Sequence, residues 1–363
     1  MQKNLKINLT QNSYQVFIGD KAIDLFINKI NNTGITNCLV IVDSNVVKHH
    51  NILIRKILSL IYCNTHFLKF NATEKNKSLR SVEIIYQFLS NKNFDRDSAV
   101  VAIGGGITGD IAGYAASTFM RGIKFFQIPT TLLSMVDSSV GGKTGVNYLD
   151  RKNQIGSFYQ PEDVFIYPEF LKTLSKREIS SGAGEVFKYS FLADQDNYKL
   201  VKNNLSKLSG NKDLNFVELI FSCLLIKSGI VRNDEKEKTG LRKILNLGHT
   251  FAHAFESESG FRLKHGEAVI AGIFCALFVS QKSGYLSPGE FNKILNDFSF
   301  IKAGRYIKNM NADNVYKKML YDKKTSKDNI RLVLIEAIGS IVVDVVVEKP
   351  VIVEAIEWIK KNI

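Results

Sequence analysis

Three short apolar runs organise the first third of the chain. Cys38–Val42 closes on Asp43, Ala99–Ile103 closes on three glycines, and Gly122–Pro129 ends in proline. Uninterrupted runs of this length mark strands buried on both faces, the habit of parallel sheets covered by helices. Helical stretches separate the runs, so the pattern predicts an α/β fold with a mostly parallel sheet. The opening residues, MQKNLKINLTQNSYQVFIG, alternate apolar and polar positions and read as a further strand. After about Leu171 the period changes. Asp213–Val231, His265–Ser283 and Ser287–Lys302 read as long amphipathic helices. Ile330–Ile335 and Ile341–Val347 flank Gly339-Ser340 and predict a hairpin. The change of pattern places a domain boundary near Leu171–Ser180.

Composition narrows the class. A chain of 363 residues suggests two domains, and 45% hydrophobic with 23% charged residues excludes a mainly disordered chain, a fibre or a small disulfide scaffold. Lys and Arg number 48 against 35 Asp and Glu, a net +13 that suits an anionic partner: nucleic acid, a membrane surface, or small phosphates and carboxylates. The basic residues are spread along the chain with no nucleic-acid module, so no nucleic-acid partner is expected. Cys38, Cys63, Cys223 and Cys275 form no C-x-x-C pair, which predicts a reduced, cytoplasmic protein. The start lacks a signal-peptide apolar region, and no apolar run reaches the ~20 residues of a membrane span.

Four segments carry candidate chemistry. Gly104-Gly105-Gly106-Ile107-Thr108-Gly109-Asp110 follows a strand and opens the helix-like stretch Ile111–Met120, with the G-x-G-x-x-G spacing that lets backbone N–H groups approach a diphosphate. The acidic strand end of the usual dinucleotide pattern is missing downstream; the best candidate, Asp43, lies upstream. Pro129-Thr130-Thr131 and Val136–Asn147 are dense in hydroxyls and glycine. They contain Gly-Gly-Lys-Thr without P-loop spacing. His249 and His253 share a helical face at i,i+4 and, with His265 or a carboxylate, could hold a divalent metal. Glu185 and Lys188 place a carboxylate and an amine three apart in SGAGEVFKY.

Taken together, GGGITGDIAGYAAS, RGIKFFQIPTTLLSMVDSSVGGKTGVN, KNQIGSFYQP, GLRKILNLGHTFAHAFE and HGEAV resemble the 3-dehydroquinate synthase family of sugar phosphate cyclases, from Asp43 to Asp322-Lys323-Lys324. The resemblance implies an N-terminal Rossmann-like, NAD-binding α/β domain (residues 1–174). A mostly α-helical metal- and substrate-binding domain (175–363) follows, with the active site between them. It implies NAD, one divalent metal (Zn, with Co as the alternative), a sugar phosphate substrate and a homodimer. The implied metal ligands are Glu185, His249 and His265, which leaves His253 over the substrate. Implied NAD contacts are Asp43, Asn45, Glu74, Lys77, Gly105, Gly106, Ile107, Asp110, Thr130, Thr131, Lys143, Lys152, Phe170 and Thr173. Lys143, Lys188, Arg242, Asn246 and His253 would serve catalysis. Asp137, Asn153, Lys227 and one of Lys323 or Lys324 would bind substrate. Arg121 would reach its phosphate across the dimer.

The chemistry so implied is transient oxidation by NAD, β-elimination of phosphate, reduction, ring opening and aldol closure, with no net redox. The chain departs from the family pattern at Gly184, where Ala is usual, at Ser190 and Ala252, where Gly is usual, and in DEKEKTGLR, one residue longer than common. Another sugar phosphate cyclase and a metal-dependent polyol dehydrogenase of related architecture are the alternatives.

Overall fold

The computed structural model describes residues 1–10, 12–149, 151–209, 214–302, 305–322 and 330–362. Strands β1 (Gln2–Ile7), β2 (Tyr14–Gly19), β3 (Asn37–Asp43), β4 (Asn64–Phe70), β5 (Ala99–Gly104) and β6 (Lys124–Pro129) share one sheet with β9 (Asp163–Ile166). β7 (Lys143–Tyr148) and β8 (Arg151–Phe158) form a separate hairpin. β10 (Ile330–Ala337) and β11 (Ser340–Val347) form another, with the predicted turn at left-handed Gly339. The helices are α1 (Ala22–Asn31), α2 (Ser44–Leu60), α3 (Leu79–Asn91), α4 (Gly106–Thr118), α5 (Lys176–Tyr189) and α6 (Gln195–Ser209). They continue as α7 (Phe216–Asn233), α8 (His249–Glu258), α9 (His265–Lys282), α10 (Pro288–Asp297), α11 (Ala312–Asp322) and α12 (Lys349–Asn362).

The seven-stranded sheet runs β1-β2-β9-β6-β5-β3-β4, parallel except where β1 meets β2. Every residue of β5 is buried, as are those of β3 after Asn37, which is why these strands read as unbroken apolar runs. Leu39, Ile41, Val100 and Ala102 meet Val82, Ile85 and Leu89 of α3 and Ile111, Ala112, Ala115 and Ala116 of α4 in one core. The strand order reverses between β3 and β5, because β4 follows on one side and β6 on the other. Ligands of open α/β sheets sit beyond the carboxyl ends of the strands at such a point. Register places the ends of β3, β5 and β6 along that edge, with Val42 beside Ile103 and Gly104 beside Pro129.

The contacts group the chain into two compact units. One comprises residues 1–179 with 216–236, the other 180–215 with 237–363. Helix α7, which the sequence reading counts with the helical half, therefore belongs with the sheet. Lys3 of β1 pairs with Glu218 of α7 at 2.6 Å. An amphipathic pattern states that a helix has a buried face, not what covers it. The second unit is built around α9, buried from Ala268 through Ser280. Such all-round burial is expected of a helix apolar on every side. The Ser280 hydroxyl accepts the Ile335 N–H of β10 at 2.9 Å, and Phe278 stacks on Trp358 of α12.

Three boundaries differ from the pattern. The helix expected from Ile111 starts five residues earlier, at Gly106, with Gly105 as its N-cap. The third strand begins at Lys124, because Gly122 turns the chain at φ 119°. The helix expected over Ser287–Lys302 stops at Asp297, capped at its start by the Ser287 hydroxyl. Asp213 lies outside the described residues.

Candidate active site

In the helical unit, Glu185 of α5, His249 at the start of α8 and His265 at the start of α9 converge. One ligand atom from each lies within 4.8 Å of the others. Glu185 Oε1 stands 3.2 Å from His265 Nε2 and 3.4 Å from His249 Nε2. Two helix starts aimed at one buried carboxylate explain the wide gaps in sequence. Gly248, left-handed at φ 78°, turns the chain into α8; a Cβ there would lie 2.7 Å from the Ile273 backbone nitrogen. The His249 Nδ1 faces the Leu247 carbonyl oxygen at 3.1 Å, and the His265 Nδ1 faces Glu256 Oε2 at 3.6 Å. Each imidazole therefore offers Nε2 inward while its far side is held, the arrangement of histidines that ligate metals.

Electrostatics fit the same reading. Burial pushes the Glu185 carboxyl up, but the Lys188 ammonium and the two imidazoles outweigh it and hold it well below the usual range. Burial keeps His249 neutral, its pKa lowered. Burial also opposes charge on His265, yet Glu185 and Glu256 carry it up to about 10. The carboxylates that favour positive charge on His265 would equally favour a cation at this point. Two imidazoles and one carboxylate form a donor set suited to zinc and similar divalent ions.

Lys188, one turn along α5, ion-pairs with Glu185, and both side chains are 2% exposed. The His253 ring lies 5.7 Å from that of His249 and 6.5 Å from that of His265. It stands beside the three convergent ligands without joining them. Arg242 and Asn246 share the short turn Leu241–Asn246; Arg242 is buried, with its Nε 3.8 Å from Glu237, and Asn246 is exposed.

In the sheet unit, Asp43, Gly105, Gly106, Thr130 and Thr131 lie at or just after the carboxyl ends of β3, β5 and β6. The Asp43 carboxylate caps α2 by accepting the Asn45 N–H at 2.7 Å, and burial raises its pKa. Gly105 and Gly106 leave room where a Cβ would come within 3.1 Å of Thr131 and 2.9 Å of Ser138. Ile107 follows in the first turn of α4, whose start presents unpaired N–H groups. The Thr130 N–H bonds the Gly104 carbonyl at 2.9 Å. Lys77, buried, ion-pairs with Asp110 at 2.5 Å and donates to the Asn153 side chain. Lys152 approaches Glu74 at 3.8 Å. Phe170 is buried, and Thr173 meets His50 Nε2 at 2.7 Å.

The remaining candidates divide. Lys227 of α7 ion-pairs with Asp137 at 2.9 Å and also donates to its carbonyl at 2.7 Å, so these two are brought together. Lys143 is exposed at the start of β7. Arg121 is exposed near the start of β6, at the sheet edge opposite Gly104. It follows Met120 in consecutive left-handed conformations, φ 50° and 69°. Lys323 and Lys324 lie outside the described residues.

Sequence reasoning passed over Glu256, behind His265, and His50, against Thr173 and the Phe170 ring. Glu256 stands three residues beyond His253 in the same helix and could have been found as a carboxylate backing the histidine cluster. Nothing in the sequence marks His50.

Residues 67–181 match the 3-dehydroquinate synthase N-terminal family, and residues 182–325 match the 3-dehydroquinate synthase C-terminal family. A 3-dehydroquinate synthase of Pelagibacter ubique is 42% identical over 345 residues, 93% of each chain. Among solved structures, 2-deoxy-scyllo-inosose synthase complexed with carbaglucose-6-phosphate, NAD+ and Co2+ superposes with a TM-score of 0.87 at 24% identity. That match covers 98% of this chain and 100% of the other. The 2-epi-5-epi-valiolone synthase of Streptomyces hygroscopicus subsp. jinggangensis, with NAD+ and Zn2+ bound, gives 0.85 at 22% identity over 97% and 98% of the two chains. These two solved structures share the fold. The sequence match extends over both halves and nearly the full length, and the chain belongs to the 3-dehydroquinate synthase family.

Proposed function

We propose that the chain performs the reaction for which its family is named. It would convert 3-deoxy-D-arabino-heptulosonate 7-phosphate to 3-dehydroquinate and phosphate, with NAD and one divalent cation, zinc or cobalt. The observation that carries this reading is the convergence of Glu185, His249 and His265 beside the buried Lys188. These three residues would hold the cation. The glycine crest at Gly105 and Gly106, with Asp43, Asn45, Glu74, Lys77, Asp110, Thr130, Thr131, Lys152, Phe170 and Thr173 along the same unit, would hold NAD. When bound, the cation supplies Lewis acidity at a carbinol hydroxyl, and the nicotinamide takes up a hydride and returns it.

The chain's own residues would do the rest. Lys188, pinned by Glu185, presents a fixed positive charge to an anionic substrate oxygen. His253 is placed to exchange a proton beside the ligand cluster. Arg242 offers a planar guanidinium suited to a carboxylate or phosphate, and Asn246 offers an amide in the same turn. Lys227 and Asp137, already paired, together with Lys143 and Asn153, would contact substrate hydroxyls and phosphate. Arg121 is exposed before β6, at the end of the sheet opposite Gly104. Its assignment to the substrate phosphate therefore goes with a homodimer in which the partner subunit's Arg121 completes the site.

A sugar phosphate substrate accounts for the basic residues without a nucleic acid or a membrane. Among the described residues, no helix is long and apolar enough to cross a membrane, and the four cysteines are free thiols. Free thiols support a reduced, cytoplasmic setting. The test is incubation of the metal- and NAD-loaded protein with the heptulosonate phosphate. Phosphate release without lasting NADH absorbance is the expected result. NADH accumulating in proportion to substrate would instead mark a polyol dehydrogenase. Phosphate release from glucose 6-phosphate or sedoheptulose 7-phosphate alone would mark another cyclase.

A further inference from the structure

Asn147 has no role in the reading above, yet its side-chain amide and backbone N–H together tie three of that reading's residues. Its Nδ2 donates to Glu74 Oε2 at 2.9 Å and faces the Glu74 carbonyl oxygen at 3.4 Å. Its Oδ1 accepts the backbone N–H of Asn153 at 3.0 Å. Its own N–H donates to the Lys77 carbonyl at 2.8 Å, part of an isolated bridge to Ser78. The residue sits where the β7–β8 register slips between Val146 and Tyr148. Bulges of this kind re-aim side chains and recur beside functional sites.

The contact to Asn153 has its own significance. Asn153 adopts φ 53°, a left-handed conformation that costs a non-glycine residue free energy unless its surroundings hold it. Asn147 holds its N–H, and the Asn153 side chain in turn accepts from Lys77, whose ammonium reaches Asp110. Moving Asn147 would therefore release the Glu74 carboxylate on one side and the Asn153–Lys77–Asp110 chain on the other.

We propose that Asn147 is a positioning residue for the nucleotide corner. It sets the Glu74 carboxylate through its amide nitrogen and the Asn153–Lys77 pair through its amide oxygen. The proposal rests on the reading that this corner holds NAD. Two substitutions separate the arms. Asn147→Asp keeps the acceptor for Asn153 and the side-chain volume, but loses the donor to Glu74 and sets a second carboxylate against it. Asn147→Ala loses both.

The experiment is titration of NAD into the metal-loaded protein, with KM for NAD, kcat and thermal unfolding measured in parallel. A displaced Glu74 would lose its own contact to NAD, and losing a hydrogen bond to a charged group corresponds to about tenfold or more in affinity. The dissociation constant and KM for NAD should rise by about that factor in both variants, with a smaller change in kcat at saturating NAD. A purely structural role would lower the unfolding temperature and leave KM for NAD unmoved. Weakened binding in Asn147→Ala alone assigns the effect to the Asn153 arm and still supports the proposal. Unchanged NAD binding in both variants overturns it. Failure of the unsubstituted protein to bind NAD overturns the nucleotide reading itself, and is distinguished by appearing without any substitution.

Discussion

Gly184 of α5 and Gly266 of α9 meet backbone to backbone. A methyl on Gly184 would lie 2.2 Å from the Gly266 carbonyl oxygen, and one on Gly266 would lie 1.6 Å from the carbonyl oxygen of Ser181. The residues adjoining this contact are Glu185 and His265, whose ligand atoms are 3.2 Å apart. The close approach of two helices thus sets the spacing of the ligand cluster. It also gives a reason for glycine at position 184.

Gly184→Ala should force α5 away from α9, since the obstructing atoms are backbone and cannot rotate aside. The expected cost is about 1–3 kcal/mol of stability, as for other overpacked sites. Zinc affinity should fall with it as Glu185 moves from His265. Thermal unfolding and zinc content of the purified variant check this. A variant with wild-type values for both would show that the helices can separate freely.

The two neighbouring histidines should behave differently. His265→Ala removes a convergent donor and should lose both zinc and activity. His253→Ala should keep zinc and lose about a hundredfold or more in rate, the usual scale for a proton-transferring group. Metal analysis of the two variants decides the matter. Loss of zinc from His253→Ala would restore the i,i+4 histidine pair as the metal site.

How much of this was legible in the chain can be judged from particular residues. β3 and β5 were plain because strands buried on both faces leave continuous apolar runs, and the glycines after β5 have side-chain neighbours that exclude a Cβ. β8 carries no apolar signal of a strand, because its largely exposed face includes Arg151, Lys152, Asn153 and Gln154. The i,i+4 spacing brings His249 and His253 together but does not exclude His253 from the ligand set. That exclusion depends on where α5 and α9 begin relative to α8, which is tertiary information. The consecutive left-handed residues Met120 and Arg121 were equally hidden, since neither residue type favours that conformation.

Lys227 offers a test of coupling. Its ammonium is buried against Asp137, by an ion pair at 2.9 Å and a carbonyl contact at 2.7 Å. Lys227→Met should leave Asp137 without that partner and cost about 1–3 kcal/mol. Adding Asp137→Asn should recover part of the lost stability without recovering activity, because both residues are assigned to substrate. A double-mutant cycle by chemical unfolding and by rate measures both terms. Strict additivity in stability would mean that the pair contributes no coupling.

Acid should expose a second link within the helical unit. Asp297 at the end of α10 accepts from the Tyr198 hydroxyl at 2.9 Å and from Lys202 at 2.5 Å, joining α10 to α6. Burial alone would raise its pKa, but hydrogen bonds from Lys202 and Tyr198 outweigh burial and lower it. A carboxyl with a lowered folded pKa binds fewer protons folded than unfolded through the acid range, so its contribution to stability grows with pH. That contribution is complete above the ordinary aspartate value of about 4 and is lost as pH falls through the lower folded value. Asp297→Asn should be about 1–2 kcal/mol less stable than the parent at pH 7, since a charge-assisted bond to Lys202 becomes a neutral one. The difference should shrink as pH drops from about 5 toward 3, because the parent's carboxyl takes up a proton and loses the charge that the variant never had. Chemical unfolding of both proteins across that range measures it, and a difference that stays constant with pH would falsify the assignment of this stability to the Asp297 charge.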